Sequence, residues 1–534
     1  MELKSQKAKT DINKIVIRKM PVREFLNDHK YSWWIMGLFL FLAYGIKVFN
    51  VSISHDTEAI MAVPDSLYGS WLSMGRFGLI ALKKLLGTYL FNPYAASAMM
   101  FVMMIINGMV WEYLFCWLGD RKEQKKESTW IFPTIYFTSM IVAEQSGFLL
   151  QAYEVNVTFF LIAVSVFCLC RIILEHGKWY LAVPAIGCLV IAFASYQAYV
   201  PLFMAAAAVC FVLIYDTNSR QNNGRTDFRF CVKVLLAFII DFVVAFGVYQ
   251  IVNKIIMTRY EMQITSYISD QIAWKNQPLQ VTLNAILEHI GEALQGKGIF
   301  FTALYGLIYV VMLVYITVRI RRREQSYWVY MIAVLFSGIA PFFMTVLLGG
   351  APSARTEIVL PFVAAFYCEY LVKKIRSKDA WRGVYILATA FFAAFCMHQS
   401  MMTSRLYYTQ YTQYEEDVRV AAKISDRIEQ LNLGETPTQP VMYVGRRASH
   451  KNNSCIQDEQ LELIGRSYFA VSFSTNHGTW VMHNFMETLG YDYEMSLDEK
   501  KIATAEKYAA DMPVWPAQGS VALKDGIIIV NLGQ

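Results

Sequence analysis

The chain has 534 residues, of which 56% are hydrophobic and only 17% charged, and its mean hydropathy is +0.34. Those values exclude an ordinary soluble globule, in which charged residues make up about a quarter of the chain. The net charge of +6 does not call for nucleic acid, because most of the basic excess lies beside apolar stretches, where the positive-inside rule puts it.

The amino-terminal segment 1–31 carries Lys4, Lys7, Lys9, Lys14, Arg18, Lys19, Arg23 and Lys30, which should hold it in the cytoplasm. The first apolar stretch follows this polar segment without a small-residue cleavage site, so it reads as a retained signal-anchor. Spans are expected at 32–50, 95–118, 130–144, 153–174, 180–195, 198–215, 231–254, 299–318, 327–348, 356–374 and 382–398. Several are shorter than the roughly twenty residues a helix needs to cross unaided.

Segments on one side of these spans hold Arg121, Lys122, Lys125 and Lys126; Lys178; and Arg220, Arg225 and Arg229. Arg319 with Arg321 to Arg323, then Lys373, Lys374, Arg376 and Lys378, continue the pattern. With the amino terminus, all the inner segments are basic, which predicts an odd number of spans and a tail outside. That count rests on reading Ser195-Tyr196-Gln197-Ala198-Tyr199 as a tight outer link between two spans. If those two were one, every later loop would invert.

Two outer connections have the pattern of helices lying on the bilayer. Between residues 71 and 90, Trp71, Leu72, Leu79, Leu82, Leu85, Leu86, Tyr89 and Leu90 fall on one helical face, against Ser73, Arg76, Lys83, Lys84 and Gly87. Between 279 and 294, Leu279, Leu283, Ile286, Leu287, Ile290 and Leu294 oppose Glu288, His289 and Glu292. Both fit an interfacial amphipathic helix, and both also fit a surface helix sealing a bundle.

Past Gln399 the sequence turns polar. Helical spacing is expected over 416–431 and 479–489, with strands at 441–444 and 527–530 and another at 468–473. Residues 399–534 therefore read as a compact α/β unit of domain size. Eight of the nine cysteines (Cys116, Cys168, Cys170, Cys188, Cys210, Cys231, Cys368 and Cys396) lie in or beside apolar stretches. Only Cys455 is in the tail, which leaves it no internal disulfide and no thiolate metal site.

Chemistry is most legible in the loop after the first span, Ser54-His55-Asp56-Thr57-Glu58. Two carboxylates two residues apart can divide the work of a proton acceptor and a supporting group if their surroundings separate their ionisation. The same pair could be solvated loop charges at a membrane exit. Arg76, Lys83 and Lys84 tilt the reading toward function, since they put positive charge at headgroup depth, where a lipid phosphate can rest.

Arg355 lies in a Gly/Pro-punctuated turn with Glu357, and either clamps phosphate or pairs with that acid to lock two helices. Glu144, Gln145, Glu154, Tyr196 and Gln197 sit at outer span ends, where they can bind sugar hydroxyls or anchor helices. Asp241, inside a span, reads as a helix fastener. No cofactor is called for. A divalent cation, Mg²⁺ or Mn²⁺, is compatible with the acids, but two in one loop are too few to define its site.

The motifs S-H-D-T-E at 54–58, S-L-Y-G-S-W-L-S-M-G-R-F-G at 66–78 and S-Y-Q-A-Y at 195–199 resemble bacterial polyprenyl-phosphate-dependent membrane glucosyltransferases. Among these are the O-antigen-modifying enzymes of serotype conversion. D-M-P-V-W-P-A-Q-G-S-V at 511–521 and I-I-I-V at 527–530 extend the resemblance over nearly the whole chain. Many members carry two adjacent acids in the first outer loop, where this chain has Asp56-Thr57-Glu58.

The residues themselves describe an all-α polytopic membrane protein of about eleven spans, at 32–398, plus interfacial helices and a small extracytoplasmic α/β domain. The resemblance adds the multi-span GT-C-like class and a multi-pass place in a bacterial cell membrane. It implies transfer of a sugar, glucose by family, from a polyprenyl-phosphate carrier to a cell-envelope glycan on the outer face. On that reading Asp56 is the catalytic base, Glu58 supports it, and Arg76 with Lys83, Lys84 and Arg355 holds the phosphate. The alternatives are a transporter or flippase of lipid-linked sugar, against which the absence of repeated halves counts, and an envelope scaffold.

Overall fold

Apolar runs long enough to satisfy their own backbone hydrogen bonds across a bilayer form the frame. The computed structural model describes residues 20–119, 129–175, 177–262, 272–376, 381–434, 437–470 and 474–533. Among them, eight helices are long and apolar enough to cross a membrane: Lys30–Phe49, Pro93–Leu118, Leu149–Leu174, Tyr199–Gln221, Phe228–Arg259, Leu304–Arg322, Tyr327–Leu348 and Arg382–Glu429. Lys4, Lys7, Lys9, Lys14, Arg18, Lys19, Arg121, Lys122, Lys125, Lys126 and Lys378 lie outside the described residues.

The other three expected spans take different forms. Residues 130–144 become two short helices, Ile131–Phe137 and Met140–Gly147, separated at Thr138-Ser139, and every residue from 129 to 150 is buried. Enclosed by neighbours, this segment has no need of a full membrane length. Residues 179–193 form a shorter apolar helix, and Val359–Arg376 a well-buried one of 18 residues with three basic residues in its last turn. The link at 194–198 does separate two helices, Ala182–Phe193 and Tyr199–Gln221.

The expected 71–90 helix is broken. Pro64–Ser73 ends at Met74, and Phe77–Leu86 starts after Arg76. Gly75 makes the break with φ +76°, and a Cβ there would come within 2.8 Å of the Tyr249 hydroxyl. The second segment is rotated from the expected face: Lys83 is buried at 1% exposure while Leu85 is 81% exposed. Leu279–Gln295 is a helix as expected, but it buries Ile286 and His289 and turns Leu279, Leu283 and Leu287 outward.

Arg382–Glu429 runs unbroken for 48 residues, about 72 Å at 1.5 Å per residue, straight through the change from apolar to polar sequence at Gln399. The tail folds around its far end. β1 (Val441–Gly445), β2 (Val521–Lys524) and β3 (Ile527–Gly533) form a sheet in the order β1-β3-β2. β3 pairs parallel with β1 (Val441 opposite Ile528) and antiparallel with β2. Central β3 is covered on both faces, which explains its continuous Ile-Ile-Ile-Val run. Asp525 and Gly526, at φ 44° and 73°, make the two-residue hairpin turn that joins β2 to it.

Two hydrophobic cores interlock at this end. Ile53, from the loop after the first long helix, belongs to the core of the tail, among Tyr468, Phe469, Val481 and Phe485. In return Ile456, Leu461 and Ile464 of the tail join the core of the helical bundle. Gly147 permits the closest approach, since a Cβ there would stand 2.5 Å from Ile464 Cδ1.

Candidate active site

The acid loop is held from both sides. Lys47 Nζ donates to the Ser52 carbonyl at 2.7 Å and to Gln410 Oε1 of the long final helix at 2.8 Å. The Ser54 hydroxyl donates to the Gly147 carbonyl at 2.9 Å. The Thr57 amide closes a turn on the Ser54 carbonyl at 3.0 Å. Asp56 stands at the tip with φ 70°, a left-handed conformation that Asp tolerates better than most residues, and it is exposed.

Glu58, in the first turn of the helix Thr57–Ala62, is 0% exposed. The two acids thus occupy different environments, one wet and one dry. Burial, and then the charge of Asp56, push the Glu58 carboxyl up to about 8. Burial pulls the His55 imidazole down to about 4, so both side chains are neutral at neutral pH. Among the described residues, His55 Nε2, the Thr57 hydroxyl and both Glu58 oxygens have no hydrogen-bond partner.

A second cluster lies where the break at Met74–Arg76 meets the 194–198 link. Arg76 Nε donates to Gln197 Oε1 at 3.2 Å, and Gln197 Nε2 donates to the Met74 carbonyl at 2.8 Å. The Arg76 guanidinium lies 5.6 Å from the Tyr196 ring, and the Tyr196 hydroxyl donates to the Arg355 carbonyl at 3.1 Å. Arg355 stacks its guanidinium 4.2 Å from the Phe148 ring. Beside it, Glu144 and Gln145 are buried with all four terminal polar atoms unpartnered. The structure therefore brings Arg76, Tyr196, Gln197 and Arg355 together, and continues through Phe148 and Gly147 to the acid loop.

Lys83 and Glu154 are placed otherwise than expected. They close on each other at 2.9 Å, both almost fully buried, and the Thr88 hydroxyl also donates to Glu154. Burial pulls the Lys83 ammonium below its ordinary range despite that partner. A buried charge must be paired, and here the pair fastens Phe77–Leu86 to Leu149–Leu174. Lys84 stays exposed and is separated from Lys83 by the rotation of the helix.

Arg355 and Glu357 do not lock to one another through an ion pair. Glu357 accepts from His289 at 2.7 Å instead, tying the surface helix Leu279–Gln295 to the bundle. Asp241 accepts from Ser165 at 3.5 Å, a contact between two spans. Among the described residues no three His, Cys, Asp or Glu side chains gather as a metal set.

Sequence reasoning missed Tyr468. It is supplied by a tail turn more than 400 residues from the acid loop, yet its ring lies 4.5 Å from that of His55. Nothing in the local pattern Arg466-Ser467-Tyr468-Phe469 connects it with Glu58; the interlocked cores make that connection.

A family model described as glucosyl transferase GtrII matches residues 45–372, more than half of the chain. The matched span takes in the acid loop, Arg76, Glu144, Gln145, Tyr196, Gln197 and Arg355, and stops before Tyr468. No curated protein and no solved structure matches the chain.

Proposed function

Because the chain belongs to the glucosyl transferase GtrII family, whose members transfer glucose to membrane-associated glycans, we propose that it draws its glucose from a polyprenyl-phosphate carrier. The acceptor is a cell-envelope glycan, and the reaction takes place on the outer face of a bacterial cell membrane. The observation that carries this reading is the pair of unlike acids, exposed Asp56 and buried Glu58, next to the Arg76–Gln197–Tyr196–Arg355 cluster.

The reaction is a single displacement. An acceptor hydroxyl attacks the anomeric carbon. The new carbon–oxygen bond forms as the bond to the phosphate oxygen breaks, which inverts the configuration. The bonding electrons leave on the polyprenyl phosphate, and the hydroxyl proton passes to Asp56. Arg76 and Arg355 stabilise charge gathering on the departing phosphate. Exposed Lys84 adds positive potential at the headgroup layer. Glu144, Gln145, Tyr196 and Gln197 bind sugar hydroxyls, while Lys83 and Glu154 hold the scaffold. Glu58 supports Asp56 from the dry side of the loop.

The test is transfer by the full-length protein in detergent, given a synthetic polyprenyl-phosphate glucose and an envelope glycan extract. Glycan labelling without sealed vesicles is expected, and Asp56→Asn should slow it about a hundredfold or more. Donor movement across vesicles with no glycan labelled would point to transport instead.

A further inference from the structure

The tail presses a phenol against the acid loop. Tyr468 is 2% exposed and its ring is stacked on Phe485 at 4.2 Å and 10°, with the His55 ring 4.5 Å away. Its backbone is pinned: the Tyr468 amide donates to Asp417 Oδ2 at 2.8 Å, and the Ser467 hydroxyl to Asp417 Oδ1 at 2.6 Å. A phenol buried for packing alone normally finds a hydrogen-bond partner. Here the Tyr468 hydroxyl faces the Glu58 carboxyl closely enough to perturb it, and neither group meets full hydrogen-bond geometry with any partner among the described residues.

We propose that Tyr468 is a positioning residue for the transfer reaction, its hydroxyl and the Glu58 carboxyl acting as one hydrogen-bonding unit that aims the acid loop at the bound sugar phosphate. The polar tail is then part of the catalytic site. This rests on the glucosyl-transfer reading above and extends it to a region outside the matched family span.

Glu58 and Tyr468 perturb each other, and the phenol, like the carboxyl, is raised, chiefly by burial. The remaining titratable groups around them are Asp56 and His55 on the loop, Arg466, Asp417 and Tyr414 on the tail and final helix, and His477 on Thr475–Thr488. In its neutral form Glu58 carries a proton that it can donate to a substrate oxygen, while Tyr468 donates to it whenever it ionises. The phenol therefore favours ionised Glu58, and removing it raises the pH at which Glu58 loses its proton.

Tyr468→Phe keeps the ring and the stacking. With polyprenyl-phosphate glucose and an envelope glycan extract, kcat at neutral pH should fall about three- to tenfold with little change in donor KM. The alkaline limb of the rate profile should move to higher pH by about half to one unit. Wild-type kcat with an unmoved limb overturns the proposal and leaves the glucosyl-transfer reading intact. If the wild type itself labels no glycan, that reading falls. The pair is then judged without substrate, by thermal unfolding of wild type, Tyr468→Phe and Glu58→Gln from pH 5 to 9. An unshifted Glu58 transition in Tyr468→Phe sinks it, and an upward shift supports it.

Discussion

The two ends of the helical bundle differ in which of their buried polar groups have partners. At the end away from the acid loop, Arg319 reaches Asp216 at 2.6 Å and Glu324 at 2.7 Å, and Lys374 reaches Asp216 at 2.7 Å. The Tyr370 hydroxyl donates to the same aspartate at 2.5 Å, and Lys373 bridges Glu112 and Glu369. At the other end Lys83 and Glu154 are paired in the same way, but Glu58, Glu144 and Gln145 are as deeply buried and, among the described residues, their terminal polar atoms have no partner of full hydrogen-bond geometry. Burial alone therefore does not mark a site. A buried charge with its partner in place fastens helices, and a buried polar group without one is a cost that binding or chemistry can offset.

That contrast can be broken by mutation at either end. The largest effect is expected at Asp56: Asp56→Asn should lower kcat by about a hundred- to ten-thousandfold, with the melting temperature unchanged. Next is the paired end, where Arg319→Met removes the cation shared by Asp216 and Glu324 and should cost up to about 3–5 kcal/mol of stability, Asp216 keeping Lys374 and the Tyr370 hydroxyl. Denaturation in detergent measures that loss, and turnover per folded molecule should stay at the wild-type value. Equal losses of activity in the two variants would erase the distinction between the ends.

Arg76→Ala should raise donor KM about ten- to a hundredfold, the worth of a hydrogen bond to a charged group, read from initial rates over donor concentration. Glu58 sharpens the comparison through pH. Its folded carboxyl titrates near 8, against 4.5 unfolded, so its contribution to stability is complete below 4.5 and is lost as pH rises through 8. Glu58→Gln should therefore gain on wild type across that window, by at most about 1.4 kcal/mol per pH unit. His55, depressed to about 4, acts in the other direction and contributes fully above 6.5. Smallest is Lys84→Ala: donor KM should rise about fivefold at low salt, in line with ~1 kcal/mol per surface cation, and return to wild type in high salt.

Local pattern sufficed wherever one element's own periodicity or composition decided its structure. The long apolar runs marked the eight bilayer-length helices, the run Ile527 to Val530 marked the strand covered on both faces, and Asp56 with Glu58 marked the acid loop. Edge strand β2 escaped notice, being four residues long with an exposed end. Tertiary packing decided the rest, because it alone sets which face of an amphipathic helix meets a neighbour and which distant residue closes on a loop. The rotation of Phe77–Leu86 put Lys83 against Glu154 instead of in the open beside Lys84. The exchange of Ile53 and Ile464 between two cores brought Tyr468 over Glu58, a meeting that no spacing along the chain encodes.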